Sequence, residues 1–288
     1  MAGRDTPASC APTDLSPAPA IGTRLALAAL AGAIALGVCG PLLTGLDPLA
    51  QNIASANAGP SAAHWLGQDH LGRDIFTRLA VGTRLTMAVA LASTAGAILL
   101  GAVLGLVCVA AGRAFEWAAF GAFDLVRAMP SILLAMTLLV ALGPGIPSVA
   151  LAIAIAYAPV FAYIARAAWA REIASGYVAA AATMGSPKLT TLARHIAPNV
   201  VGAIVTQAAI VVPRAITTES VLSFFAIGVT PGTPTWGRMI ADSVKYAESA
   251  PIAILLPTLA LASVTLAFAV LGDSLRLRWD PLRKGSDA

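Results

Sequence analysis

Apolar residues in this chain gather in long unbroken runs separated by polar connections, without the stripes and alternations of a soluble domain. The first run, residues 25–43, holds nineteen residues. As a helix it would measure about 28 Å, enough to cross a hydrocarbon layer of about 30 Å. Runs at 86–111, 120–142, 148–165, 200–228 and 250–271 share this character, so the pattern predicts six membrane-spanning helices. Residues 143–147, GPGIP, form a breaker between the third and fourth runs, and Pro159 and Pro213 fall inside the fourth and fifth. Residues 1–20, rich in Pro, Ala, Ser and Thr, have little to pack and predict a disordered tail. The first run exceeds a signal-peptide core of about 15 residues and is flanked only by Arg4 and Arg24, which favours a retained helix.

Two polar stretches break the apolar pattern. In residues 64–79, HWLGQDHLGRDIFTRL, Asp74 and Arg78 stand four apart in the favoured order while Ile75, Phe76 and Leu79 share the other face. That spacing predicts a helix lying on the membrane surface. Residues 177–199, YVAAAATMGSPKLTTLARHIAPN, read as helix, sharp turn, helix. Gly185 takes the left-handed position after the first helix, and Ser186 and Pro187 cap and start the second. In that second helix Leu189, Leu192, Ala193 and Ile196 follow one apolar stripe, Lys188, Arg194 and His195 stay off it, and Pro198 ends it. By pattern alone the pair is either a knob for a groove on a soluble partner or a solvated connecting loop.

Charges within the runs are few. Asp124 and Arg127, three apart at the start of the third run, are expected to pair with each other at the membrane edge. The fifth run is interrupted by Gln207, Arg214 and Glu219. An arginine near mid-membrane costs about 3 kcal/mol on insertion scales, so Arg214 should face water or a partner. Arg214 and Glu219 are five apart, about 140° around a helix, which disfavours an intrahelical pair. Two readings stay open: each residue snorkels or pairs with a neighbouring helix, or each lines a translocation path.

Composition agrees with immersion in lipid. Only 11% of the 288 residues are charged, 58% are hydrophobic and mean hydropathy is +0.82. A net charge of +4 does not imply nucleic-acid binding, since basic loops on one membrane face produce the same bias and no basic run is interleaved with aromatics. Cys10, Cys39 and Cys108 are odd in number and unclustered, indicating neither disulfides nor zinc. His64, Asp69, His70 and Asp74 match no familiar metal-ligand spacing, so no metal is expected. No lysine follows a glycine, so a phosphate-binding loop is absent, as are the H-E-x-x-H and G-x-S-x-G motifs.

Several segments resemble one family. Ala180, Ala181, Gly185 and Pro198 match the EAA coupling loop of ABC importer permeases, and residues 194–199, RHIAPN, resemble the RHILPN ending of the dipeptide, oligopeptide and nickel branch. Ala179 stands where that family has glutamate and Ala197 where it has leucine. Residues 64–74 resemble its H-x-LG-T-D-x-x-GRD signature, with Gln68 for threonine, and residues 47–52 also look familial. Residues 219–224 resemble E-x-x-LSF, Thr235-Trp236-Gly237 resembles the S-WG element, and residues 272–284 resemble the GD-x-LRD-x-x-DP ending.

The resemblance implies an all-α integral membrane protein with the type I ABC importer transmembrane fold, six spans and a cytoplasmic coupling helix. It divides the chain into a tail (1–20), a first span with an extracytoplasmic surface segment (21–84), a permease core (85–275) containing the coupling loop (166–199), and a cytoplasmic tail (276–288). It implies no catalytic, metal or cofactor-binding residue here, with ATP and Mg held by partner subunits. The partners are a homologous second permease, two cytoplasmic ABC ATPases and an extracytoplasmic substrate-binding protein, all at a prokaryotic plasma membrane. ATPase coupling falls to Tyr177, Ala180, Ala181, Gly185, Ser186, Pro187, Leu189, Arg194, His195, Ile196 and Pro198. The translocation path falls to Gln207, Arg214 and Glu219, and binding-protein docking to His64, Asp69, Arg73, Asp74 and Trp236. With both termini cytoplasmic, twelve of eighteen Lys and Arg lie inside, positions 73, 78, 84, 238 and 245 lie outside, and Arg214 lies in the membrane. Peptide is the expected cargo. The alternatives are nickel or another small solute, or an ion-coupled secondary transporter, for which Glu219 is the single carboxylate deep in a run.

Overall fold

The apolar run nearest the amino terminus folds as helix α1 (Ala20–Thr44), with Pro41 in its last turn. In the computed structural model, residues 20–184, 188–191, 194, 196–230 and 232–279 are described. Helix α2 (Ile75–Ala97) continues through a π-helical segment, Ile98–Val103, into α3 (Leu104–Ala111), making one helix of 37 residues. Then come α4 (Arg113–Arg127), α5 (Ser131–Leu142), α6 (Ile146–Ile173), α7 (Gly176–Thr183), α8 (Lys188–Thr191), α9 (Ala197–Phe224), α10 (Trp236–Ser243) and α11 (Pro251–Trp279). Among the described residues there is no β-strand, only an isolated bridge between Gln68 and Asp74.

Hydroxyl contacts fix which helix ends lie together. Thr23 Oγ1 meets Ser274 Oγ at 3.1 Å, setting the start of α1 beside the end of α11. Thr44 Oγ1 meets Thr77 Oγ1 at 2.8 Å, setting the end of α1 beside the start of α2. One end of the bundle therefore carries both ends of the described chain, α4 and the α6–α9 connection. The opposite end carries the two long polar connections, residues 45–74 and 225–250.

Small residues set the helix spacing. A Cβ on Gly96 would stand 2.9 Å from the Ala154 Cβ, one on Gly105 3.3 Å from the Ala162 Cβ, and one on Gly101 only 1.9 Å from the Ala158 carbonyl oxygen. Gly96, Gly101 and Gly105 thus face Ala154, Ala158 and Ala162 along one seam between the α2–α3 helix and α6. Lipid tails are as apolar as leucine, so dispersion between closely approaching backbones is what holds such a seam. Leu25, Leu42, Val140 and Leu266 point outward and are 66%, 81%, 85% and 65% exposed, as a lipid-facing surface requires.

Three expectations are corrected. Residues 120–142 do not form one straight helix: α4 and α5 meet at 99° across the break at residues 128–130, and count as the sixth span only as a bent pair. Proline cannot donate to the helix ladder and biases the residue before it away from helix, so the chain bends there. Asp124 and Arg127 do not pair: Asp124 accepts the Tyr163 hydroxyl at 2.6 Å, and the Arg127 guanidinium sits 4.7 Å above the Tyr163 ring. Residues 64–79 are not a surface helix either. They form a loop up to Asp74, and α2 begins at Ile75.

Gly101→Ala should lower stability by about 1–3 kcal/mol, because the added methyl meets backbone that cannot step aside. Gly32→Ala, where nothing lies within 4 Å, should be neutral. Thermal unfolding of the two variants in detergent separates these outcomes.

Candidate functional site

The α6–α9 connection is tied down at its base. Glu172, buried at the end of α6, accepts hydrogen bonds from the Tyr177 hydroxyl in α7 and, at 2.9 Å, from Asn199 Nδ2 in the first turn of α9. One carboxylate thereby joins the residues that lead into the connection to those that leave it. The bond pushes the Tyr177 phenol above its ordinary pKa, since ionising it would set two anions together. Of the residues read as coupling positions, Tyr177, Ala180, Arg194 and Pro198 are exposed, while Ile196 is buried. Ala181 and Leu189 lie in α7 and α8. Gly185, Ser186, Pro187 and His195 lie outside the described residues. Pro198 does not end a helix. It sits in the first turn of α9, where its missing N–H costs nothing.

At the opposite end, the two polar connections are locked into one cap. Asp74 is the N-cap of α2: its Oδ2 accepts from the Thr77 amide at 2.7 Å, and its Oδ1 lies 3.0 Å from His64 Nδ1. Its carboxylate is turned onto the helix terminus, so the expected Asp74–Arg78 side-chain pair does not form. Arg78 instead reaches across the cap, donating to the carbonyls of Pro48 at 3.1 Å and Gly232 at 3.4 Å. It is 1% exposed and lies 3.6 Å from Asp69 and 3.8 Å from Asp242. Arg73 donates from Nε to Asp69 at 2.7 Å and from Nη2 to Asp242 at 3.1 Å. Arg238 Nε stands 3.0 Å from Asp242 Oδ1, an ion-pair contact without hydrogen-bond alignment. Three guanidinium groups thus share two carboxylates, and two loop carbonyls accept from Arg78 Nη1. His70 stacks on Tyr246 with centroids 4.6 Å apart, and burial pushes its pKa below the ordinary histidine value.

Glycines let the cap close. Gly72, at φ +71°, lies so near Asn52 that a Cβ would stand 1.9 Å from its carbonyl oxygen. A Cβ on Gly237 would stand 2.0 Å from the Ser220 carbonyl, so α10 touches α9 backbone to backbone. Trp236, wholly enclosed, donates from Nε1 to Thr83 at 3.1 Å, and Glu219 beside it accepts from Ser223 at 2.6 Å. The tryptophan and glutamate segments therefore meet on one face of α2.

This geometry reassigns several residues. Asp69, Arg73, Asp74 and Trp236, read as a docking surface, are at most 5% exposed and brace the cap from within, whereas the His64 side chain is 28% exposed. Glu219, read with the translocation path, is wholly buried because five residues turn it about 140° from Arg214 into the α2–α10 packing. Gln207 and Arg214 do share one open face of α9, the first half-buried and the second exposed. Asp242 and Glu172 were missed. Asp242 stands four residues after Arg238, a spacing that signals a pair, but nothing local announces that it binds three arginines.

Residues 97–284 match the model of the family described as "Binding-protein-dependent transport system inner membrane component". The chain is 35% identical over 251 residues to the dipeptide transport system permease protein DppC of Alkalihalophilus pseudofirmus, covering 87% of this chain and 83% of that one. It is 38% identical over 231 residues to the glutathione transport system permease protein GsiD of Pectobacterium atrosepticum, covering 79% and 76%. A chain of the MetNI methionine ABC transporter, in an inward-facing conformation, superposes with a TM-score of 0.54 at 17% identity, over 69% of this chain and 96% of that one. A chain of an amino acid ABC transporter does so with 0.54 at 18%, over 67% and 90%.

Asp242→Ala should cost about 3–5 kcal/mol, because it strands buried guanidinium charge, whereas Lys245→Ala on the exposed turn beyond it should stay within about 0.5 kcal/mol. Thermal unfolding in detergent, with limited proteolysis of the connection at 45–74, measures both.

Proposed function

Because this chain belongs to the family of binding-protein-dependent transport system inner membrane components, we propose that it forms half of the translocation pathway of an ATP-driven peptide importer. It is a multi-pass plasma-membrane subunit of a transporter complex. The remaining half comes from a homologous second permease, force from two cytoplasmic ABC ATPases that hold ATP and Mg, and cargo from an extracytoplasmic binding protein. Both termini are cytoplasmic in this reading, which the excess of Lys and Arg at that end of the bundle supports.

The observation that carries the reading is the clamp at Glu172. A connection that transmits a stroke from an ATPase must be stiff at its base, and Glu172 joins α6, α7 and α9 there. Residues 177–199 then act as the coupling element, with Ala180 and Arg194 presented outward. At the other end, the buried arginine network makes a rigid platform. Its exposed apolar side chains, Ile53, Trp65 and Tyr246, form the docking surface with His64 at their edge. Peptide cargo is favoured by the dipeptide and glutathione permeases among the relatives.

Affinity purification of the tagged chain in mild detergent tests the assembly: an ABC ATPase and a second permease should come with it. Uptake of labelled dipeptide should persist under an uncoupler while ATP is maintained. Collapse under the uncoupler would instead identify a secondary transporter. Glu172→Ala removes the acceptor shared by Tyr177 and Asn199, worth about 1–3 kcal/mol locally. In proteoliposomes it should lower the peptide imported per ATP hydrolysed more than it lowers hydrolysis itself.

A further inference from the structure

We propose that Arg214 is the cargo-contacting residue of this subunit and that it receives the terminal carboxylate of a peptide in transit. The inference rests on the importer reading and names the chemistry of the pathway wall. Arg214 is the eighteenth of the 28 residues of α9. It therefore lies about 15 Å from the Phe224 end and about 26 Å from the Ala197 end, deep within a span. It is exposed, and among the described residues it has no hydrogen-bond or ion-pair partner. A guanidinium cannot shed its charge, so a face carrying one at that depth borders water or an anion and not hydrocarbon.

No carboxylate of the described chain supplies that anion. Glu219, the nearest along α9, faces the opposite way and is occupied by Ser223 at 2.6 Å. Asp69, Asp74 and Asp242 are committed within the cap, and Glu116, Asp124 and Glu172 within the other end; Asp47 accepts from the Leu49 amide, and the exposed Glu248 and Asp273 make no ion pair with Arg214. The rest of the open stripe is nearly neutral. Ile210, Val221 and Phe224 are apolar, and the Thr217 hydroxyl is turned to its own helix at Pro213, 3.0 Å away. Gln207, two turns from Arg214 on the same face, adds one uncharged donor and acceptor.

One fixed cation on a stripe without other charge suits cargo that varies in its side chains but keeps one anionic feature. Peptides share only their backbone and termini, and a guanidinium grips a carboxylate through two parallel hydrogen bonds. The same charge repels a bare divalent cation, so the wall disfavours nickel as cargo.

The test uses the complete transporter in proteoliposomes with its binding protein, and compares a labelled dipeptide with its carboxyl-terminal amide. The affinity of the binding protein for each is measured separately and divided out. Arg214→Gln should reduce dipeptide transport about tenfold or more and leave amide transport little changed, and Arg214→Lys should recover part of the loss. An equal fall for both compounds, or no fall for either, overturns the proposal, since the arginine would then serve a subunit contact or nothing. A second measurement does not depend on transport. Arg214→Cys, with Cys10, Cys39 and Cys108 replaced by serine, should react with a water-soluble anionic thiol reagent and be protected by dipeptide but not by the amide. Absence of reaction, or protection by both compounds, also overturns it. Failure of the importer reading itself looks different: the unaltered complex transports neither compound, and the inference falls with it.

Discussion

A charge inside a membrane protein persists only where the chain or its partners answer it, and this constraint sorts the buried ionic groups among the described residues. Arg78 shows the rule at its strictest. It is nearly sealed from solvent, yet its donors reach carbonyls from two connections far apart in sequence, and two carboxylates balance its charge. Removing the guanidinium would free both connections at once, because the carbonyls of Pro48 and Gly232 meet on it. The cap is therefore held together as one unit, its two connections joined through a single side chain.

The two ends of the bundle use the same chemistry for different purposes. At the capped end, many charges are crowded into a network with little freedom. At the other end, one carboxylate fixes the base of a short helical connection and leaves its outer face open. Between them run helices seated glycine against alanine, so neighbouring spans move as packed rods with little slack. In the proposed importer, a displacement entering at this connection would travel along α6 and α9, whose ends are joined at Glu172.

Much of this was legible in the residues. Long apolar runs gave the helices long and apolar enough to cross lipid, and the helix Gly176–Thr183 followed from its alanines. The bend between α4 and α5 was written at Pro130, but an apolar pattern continuing on both sides masked it. The reading of residues 64–79 as a helix failed for a different reason. The spacing of Asp74 and Arg78 suits a helical pair equally well when the aspartate is an N-cap, and only the position of the helix start distinguishes the two. Glu219 and Arg214 were grouped because both are polar within one run, whereas their environments depend on which neighbours each side of α9 meets. That information is tertiary. For the same reason the hub role of Asp242 could not be read, since two of its three arginines are more than 160 residues away in sequence.

The π-helical segment at Ile98–Val103 decides where a length change in this span can be tolerated. A wider turn takes in one more residue than an α-turn while the helix continues on the same axis. Everything downstream in α3 is thereby rotated by roughly 100° relative to an unbroken helix. Deleting one residue here lets the wide turn close to an ordinary α-turn and leaves the facing of α3 unchanged, whereas a deletion elsewhere in the span would turn everything beyond it by roughly 100°. The five-residue step from Gly96 to Gly101 against the four-residue step from Ala154 to Ala158 is the mark of that accommodation, one residue taken up so that the glycines beyond it still meet their alanines.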